Sequence, residues 1–114
     1  MQSRILVVDD DEITRRNIEK MLAEDGYHVS TAKDTEKAFE LLNQETFSLI
    51  ILDMIMPDWT GKLSERAGVD ILKKIKNNNP DTPVILFSAN EQVKLVVEAI
   101  NLGATDYLIT QVLR

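Results

Sequence analysis

The stretch SLIILDMIMPD, residues 48–58, decides the architecture. Leu49 to Leu52 form an unbroken apolar run that is too short for a stable helix. It lacks the polar alternation of a half-exposed strand, so it reads as a strand buried on both faces, as in a parallel sheet. Working outward, runs of the same kind occupy Ile5–Val8, Tyr27–Thr31, Pro83–Phe87 and Thr105–Ile109, with Ser48–Leu52 between them. Amphipathic stretches separate the runs. Their apolar stripes are Ile13, Ile18, Met21 and Leu22, then Ala38, Phe39, Leu41 and Leu42, then Val69, Leu72 and Ile75, and finally Val93, Val96, Val97 and Ile100. Gly26 and Gly103 sit where the first and fourth helices should end, Asp34 and Asn90 suit helix N-caps, and Asn79-Pro80 closes the third helix. Strands alternating with helices predict right-handed crossovers and an α/β, doubly wound, five-stranded parallel sheet.

Composition narrows the chemistry. The 114 residues carry 19 Asp+Glu against 13 Lys+Arg, a formal charge of −6, with 44% hydrophobic and 28% charged residues. That is one globular domain (1–114) with no room for two cores. The absence of Cys excludes disulfides and thiolate chemistry, and a single His excludes a multi-His metal cage. The net negative charge argues against direct nucleic-acid binding, which needs a basic face, and no apolar run reaches the ~18 residues of a membrane span. The start MQSRILVVDDD is no signal peptide, which points to the cytoplasm. The connection from Met54 to about Ala67 is longer than the usual ~2–6 residues. The sequence stops at Arg114, soon after the fifth run, where a doubly wound sheet would need one more helix. The expectation is a last helix missing or truncated, in the N-terminal part of a longer protein or with a partner supplying the cover. Apolar sheet surface left open in this way would favour a homodimer.

Ligands of an open parallel sheet bind at the carboxyl ends of its strands. The first run ends in Asp9-Asp10-Asp11-Glu12, the third in Asp53, the fourth in Ser88, and the fifth runs into Thr110. If the first and third strands are neighbours, Asp9, Asp10 and Asp53 converge. Carboxylates that close repel one another, and a hard oxygen-binding cation such as Mg²⁺ resolves the conflict. The competing reading is helix capping, which is at least as good for Asp11 and Glu12 but weaker for Asp9 and Asp53. A Gly-rich phosphate loop after the first strand is replaced here by DDDE, which argues against a nucleotide or flavin fold. An aspartate-nucleophile phosphatase would carry a second Asp two residues after the first; position 55 is Ile.

With ILVVDDD (5–11), SLIILDMIMPD (48–58), GVDILKKIK (68–76), TPVILFSA (82–89) and INLGATDYLI (100–109) in view, the chain resembles a bacterial two-component response-regulator receiver domain, akin to the chemotaxis regulators. The resemblance implies a flavodoxin-like sheet with strand order 2-1-3-4-5. It implies phosphorelay signal transduction in which Asp53 accepts a phosphoryl group from a histidine kinase or phosphotransfer protein. Asp9, Asp10, Asp53 and the backbone carbonyl of Ile55 would hold Mg²⁺. Ser88 would be the hydroxyl residue that meets the phosphoryl group, Ala89 the small neighbour, and Tyr107 the aromatic switch. The chain would then be a phosphoprotein with transient aspartyl-phosphate chemistry rather than a metabolic enzyme, with an output domain or partner beyond Arg114.

Two departures from the family pattern stand out. Thr110-Gln111 occupies the place of the family's Lys-Pro, so Thr110 offers a hydrogen bond but no charge. Losing such a charge-assisted contact costs ~1.5–3 kcal/mol. Gly68 rather than Gly61 aligns ahead of VDILKKIK, leaving seven extra positions that include Lys62 and Arg66. Either cation could replace the lysine's charge, but a solvated loop is the favoured reading. These departures support an alternative in which the domain is a phosphorylation-independent pseudo-receiver, an interaction module. His28 reads as a surface residue on an edge strand, and Trp59 as a packing residue of the long loop.

Overall fold

The apolar runs become the interior of a sheet. The computed structural model describes residues 3–53, 56, 57, 62–88, 98 and 100–109. In chain order the elements are β1 (Arg4–Val8), α1 (Glu12–Glu24), β2 (His28–Ala32), α2 (Thr35–Gln44), β3 (Leu49–Asp53), β4 (Met56–Pro57), β5 (Leu63–Ser64), α3 (Glu65–Asn78), β6 (Val84–Ser88) and β7 (Asp106–Ile109). Five strands form one sheet in the order β2-β1-β3-β6-β7, and every pair is parallel. This is the expected 2-1-3-4-5 order, with β6 and β7 as its fourth and fifth strands. All five strands end one residue or less from the predicted limit, and where an end differs it is because ladder bonds rather than the apolar run set it. Asp53, for example, still pairs with Phe87.

Turn chemistry does what the sequence asked of it. Gly26 has φ +93°, and the amides of Gly26 and Tyr27 donate to the carbonyls of Ala23 and Leu22 at 3.0 and 3.2 Å. This pair of bonds closes α1 with a left-handed residue that lacks the Cβ penalty. Asp34 caps α2 by accepting from the Lys37 amide at 2.8 Å. After α3, Lys76 donates to the Thr82 and Pro80 carbonyls at 2.7 and 3.3 Å, tying the helix end to the entry of β6. Of the expected fourth helix only the end is described: Glu98, Ile100 and Asn101 are helical, and the Leu102 amide donates to the Glu98 carbonyl at 3.0 Å. Asn90 and the stripe Val93, Val96 and Val97 lie outside the described residues.

The two faces of the sheet are covered unequally. On one face Leu6, Val8, Ile50, Leu52, Val84 and Leu86 pack with Ala38, Val69, Ile71, Leu72 and Ile75 into a dry core. On the other, α1 lies against β1 and β2, where Ile5 and Val7 are buried. Farther along that face, Leu49, Ile51 and Ile85 are only half-buried. The α1 stripe differs from expectation. No residue of α1 is buried, and Ile13 and Met21 are 71% and 58% exposed. A stripe predicts which side of a helix is apolar, but burial also needs a neighbouring element on that side, and none of the described residues fills it.

The long connection has some regular structure at its ends. Its ends pair as a short antiparallel ladder, Met56 with Ser64 and Pro57 with Leu63. α3 then starts at Glu65, ahead of Gly68, because Glu65, Arg66 and Ala67 are acceptable helix formers and the buried Ala67 and Gly68 let the helix approach the core. Trp59 and Gly61 lie outside the described residues.

Burial separates two isoleucines of identical chemistry. Ile71→Ala, at a position 0% exposed, is expected to cost ~2–5 kcal/mol, whereas Ile13→Ala should stay within ~0.5 kcal/mol. Urea unfolding of the two variants measures the contrast.

Candidate functional site

Parallel pairing of β1 with β3 sets Val8 beside Leu52, so the residues that follow, Asp9 and Asp53, leave the sheet at the same edge. Asp9 extends the contact with β2 by donating its amide to the Ala32 carbonyl at 3.0 Å. Its side chain is 2% exposed, Asp53 is half-buried and Asp10 is exposed. The three carboxylates offer oxygens that all lie within 4.8 Å of one another.

The acidic run splits at Asp10. Asp11 caps α1, accepting from the Thr14 amide at 3.1 Å and from the Thr14 hydroxyl. Glu12 forms an exposed ion pair with Arg16 at 2.8 Å, one helical turn on. Both serve the helix start, the reading that competed with metal binding. Asp9, by contrast, is fixed for a different purpose. Its carboxylate accepts from the Asp11 amide at 2.9 Å, and its carbonyl accepts from the Arg15 guanidinium at 2.9 Å. Arg15 escaped sequence reasoning. The available signal was its place early in a helix that follows an acidic strand end, since helical side chains lean toward the N-terminus.

Burial pushes the Asp9 carboxyl above its ordinary value. The hydrogen bonds from the Asp11 amide and with Asp53 pull it back, while the charges of Asp10 and Asp11 push it further up. A charged Asp9 therefore opposes folding at neutral pH. That penalty lessens as pH falls through the folded-state pKa. It lessens too if a cation compensates the charges, and three oxygen donors without nitrogen or sulfur suit a hard cation of the Mg²⁺ class.

The other expected site residues are placed in part. Ser88 ends β6 with its backbone opposite Ile109, and Tyr107 lies in β7 opposite Leu86, so the backbones of both belong to the pair of strands beyond β3. Lys62 is exposed just ahead of β5, and Arg66 is in the first turn of α3. His28 is exposed at the start of the edge strand β2, as predicted. Ile55, Ala89, Thr110 and Gln111 lie outside the described residues.

Comparison with known proteins gives the family. A family profile described as "Response regulator receiver domain" matches residues 5–112. The chain is 39% identical over 112 residues to the two-component response regulator ARR12 of Arabidopsis thaliana, covering 96% of this chain and 17% of that protein. It is 34% identical over 108 residues to the alginate biosynthesis transcriptional regulatory protein AlgB of Pseudomonas putida, covering 95% of this chain and 22% of that protein. The relatives thus include plant as well as bacterial proteins, and the likeness does not single out bacteria. The chain spans only about a fifth of those two relatives' length. Among solved structures, a CheY-like receiver domain protein from Methanospirillum hungatei superposes with a TM-score of 0.86 at 26% identity, covering 98% of this chain and 84% of that one. The response regulator TrrA of Thermotoga maritima, solved in complex with Mg²⁺-BeF, gives 0.80 at 28% identity, covering 97% and 88%. No helix among the described residues is long and apolar enough to cross a membrane.

Removing the Asp9 charge while keeping its acceptor tests the electrostatics. Asp9→Asn should raise the metal-free Tm at pH 7 by a few degrees, and the gain should shrink as the pH is lowered through the Asp9 titration. Thermal unfolding in chelator across pH 4–7 reads both effects.

Proposed function

This chain belongs to the response regulator receiver domain family, and we propose that it is a phosphoacceptor switch whose Asp53 takes a phosphoryl group from a histidine kinase or phosphotransfer protein. The observation that carries the reading is the convergence of Asp9, Asp10 and Asp53 within 4.8 Å at one sheet edge. A similar regulator solved with Mg²⁺-BeF supports a cation in such a pocket.

Asp9, Asp10 and Asp53 would hold Mg²⁺, with the Ile55 carbonyl as a further ligand. When bound, the ion offsets the negative charge that otherwise keeps one anion from another. An Asp53 oxygen then attacks the phosphorus of phosphohistidine. The new O–P bond forms as the P–N bond breaks, and the imidazole leaves with that electron pair. Asp9 shapes this step from its buried position, because a fixed carboxylate needs no reorganisation when charge moves. The backbone positions of Ser88 and Tyr107 in β6 and β7 suit a readout of the phosphorylated state, and Thr110, in the place of the family pattern's lysine, would offer a neutral hydrogen bond. Hydrolysis resets the switch, and the apolar Ile55 cannot orient the attacking water.

Because the chain covers 17–22% of the curated relatives compared above, the reading extends to a larger cytoplasmic protein in which this domain controls an output segment. A second reading rests on Thr110-Gln111. Without the family's lysine, the domain would act as a pseudo-receiver that signals through protein contacts alone.

Intact mass after incubation with acetyl phosphate separates the two. The phosphoacceptor reading expects a gain of one phosphoryl group with Mg²⁺, lost in chelator and in Asp53→Ala. A folded protein that gains none is a pseudo-receiver. In the phosphorylated protein the label should decay slowly, and Ile55→Asn should speed its loss by about tenfold, read by the same mass measurement over time.

A further inference from the structure

Arg15 stands beside the acidic pocket without being one of its acids. Its guanidinium donates to the Asp9 carbonyl at 2.9 Å from α1, six residues along the chain. That bond stands beside two others on the same residue: the Asp9 amide donates to the Ala32 carbonyl at 3.0 Å, and the Asp9 carboxylate accepts from the Asp11 amide at 2.9 Å. These two hold Asp9 to β2 and to the start of α1. The bond from Arg15 ties it to the body of the helix. The Arg15 guanidinium thus bonds the main chain of Asp9 and not its carboxylate.

Resting on the reading of this pocket as a cation site, we propose that Arg15 is a positioning residue. Its clamp on the Asp9 carbonyl holds the Asp9 peptide in the orientation that brings the Asp9 carboxylate within reach of those of Asp10 and Asp53. Asp9 has no slack of its own to lose, since its buried side chain finds the other two acids only while its peptide is fixed. Hydrogen bonds behind a metal ligand orient it, and their loss commonly lowers metal affinity by ~10–100-fold. A clamp on the main chain rather than on the ligand atoms belongs at the low end of that range.

The sign of the effect separates this role from simple charge. Arg15 is a cation near a cation site, so if charge were all that mattered its removal would relieve repulsion and tighten metal binding. A positioning role requires the opposite. A lysine keeps the charge and can donate one bond to the same carbonyl, so it should restore most of the loss.

The test is Mn²⁺ titration of the 114-residue chain, followed by electron paramagnetic resonance, for the wild type, Arg15→Met and Arg15→Lys, with metal-free thermal unfolding alongside. The expected result is about tenfold weaker Mn²⁺ binding in Arg15→Met, binding within about threefold of wild type in Arg15→Lys, and metal-free melting temperatures close to wild type in both. Equal or tighter binding in Arg15→Met overturns the role of Arg15 while leaving the cation site standing. A lysine variant as weak as the methionine variant also overturns it, as does an affinity loss that merely follows a lowered melting temperature. A wild type that binds no Mn²⁺ overturns the cation site itself, and this inference with it.

Discussion

The parallel register of β1 against β3 is the constraint on which the candidate site depends. Ile5, Leu6, Val7 and Val8 meet Leu49, Ile50, Ile51 and Leu52 one to one. A slip of one residue would send Leu6 and Val8 out of the dry core and move Asp9 out of line with Asp53. The same register therefore secures two outcomes. Hydrophobic burial of Leu6, Val8, Ile50 and Leu52, worth ~1.5–3 kcal/mol for each large side chain, fixes the strands, and the fixed strands force acidic groups together that would otherwise stay apart. The penalty for the buried Asp9 is small against a core of that size, which is how the fold tolerates it.

Most of this was legible in the residues because it depends on local pattern. Apolar runs bounded by acids gave the strands, and Gly26 and Asp34 gave the helix limits through backbone chemistry that only a few residue types can supply. The meeting of Asp9, Asp10 and Asp53 was legible too, once adjacency of the first and third strands was assumed. What the sequence concealed is non-local. The exposure of Ile13 and Met21 depends on what lies beside α1 and not on its own stripe. The β4–β5 ladder involves two residues on each side, too few for any alternation to register. Arg15 reads as one more charge on an amphipathic helix, and only the fold turns it toward Asp9.

The acidic run DDDE illustrates how one composition can carry two jobs. Asp11 and Glu12 serve α1, by a cap and by an ion pair with Arg16, and their chemistry is local. Asp9 and Asp10 serve the sheet edge. The division falls where the chain turns from strand to helix, so the geometry of that turn, and not the acids themselves, assigns each its task.

The distance in sequence between Asp9 and Asp53 has a consequence for how the pocket comes into being. While a ribosome is still making the segment before β3, the chain can carry Asp9 and Asp10 but no third acid. The pocket cannot exist until Leu49–Asp53 has emerged and docked beside β1. Any ion that prefers the completed pocket then acts only once β3 has docked beside β1, and it slows unfolding to the extent that this docking follows the transition state. The acids would be a lock closed by the pairing of β1 with β3 and by nothing earlier in the chain.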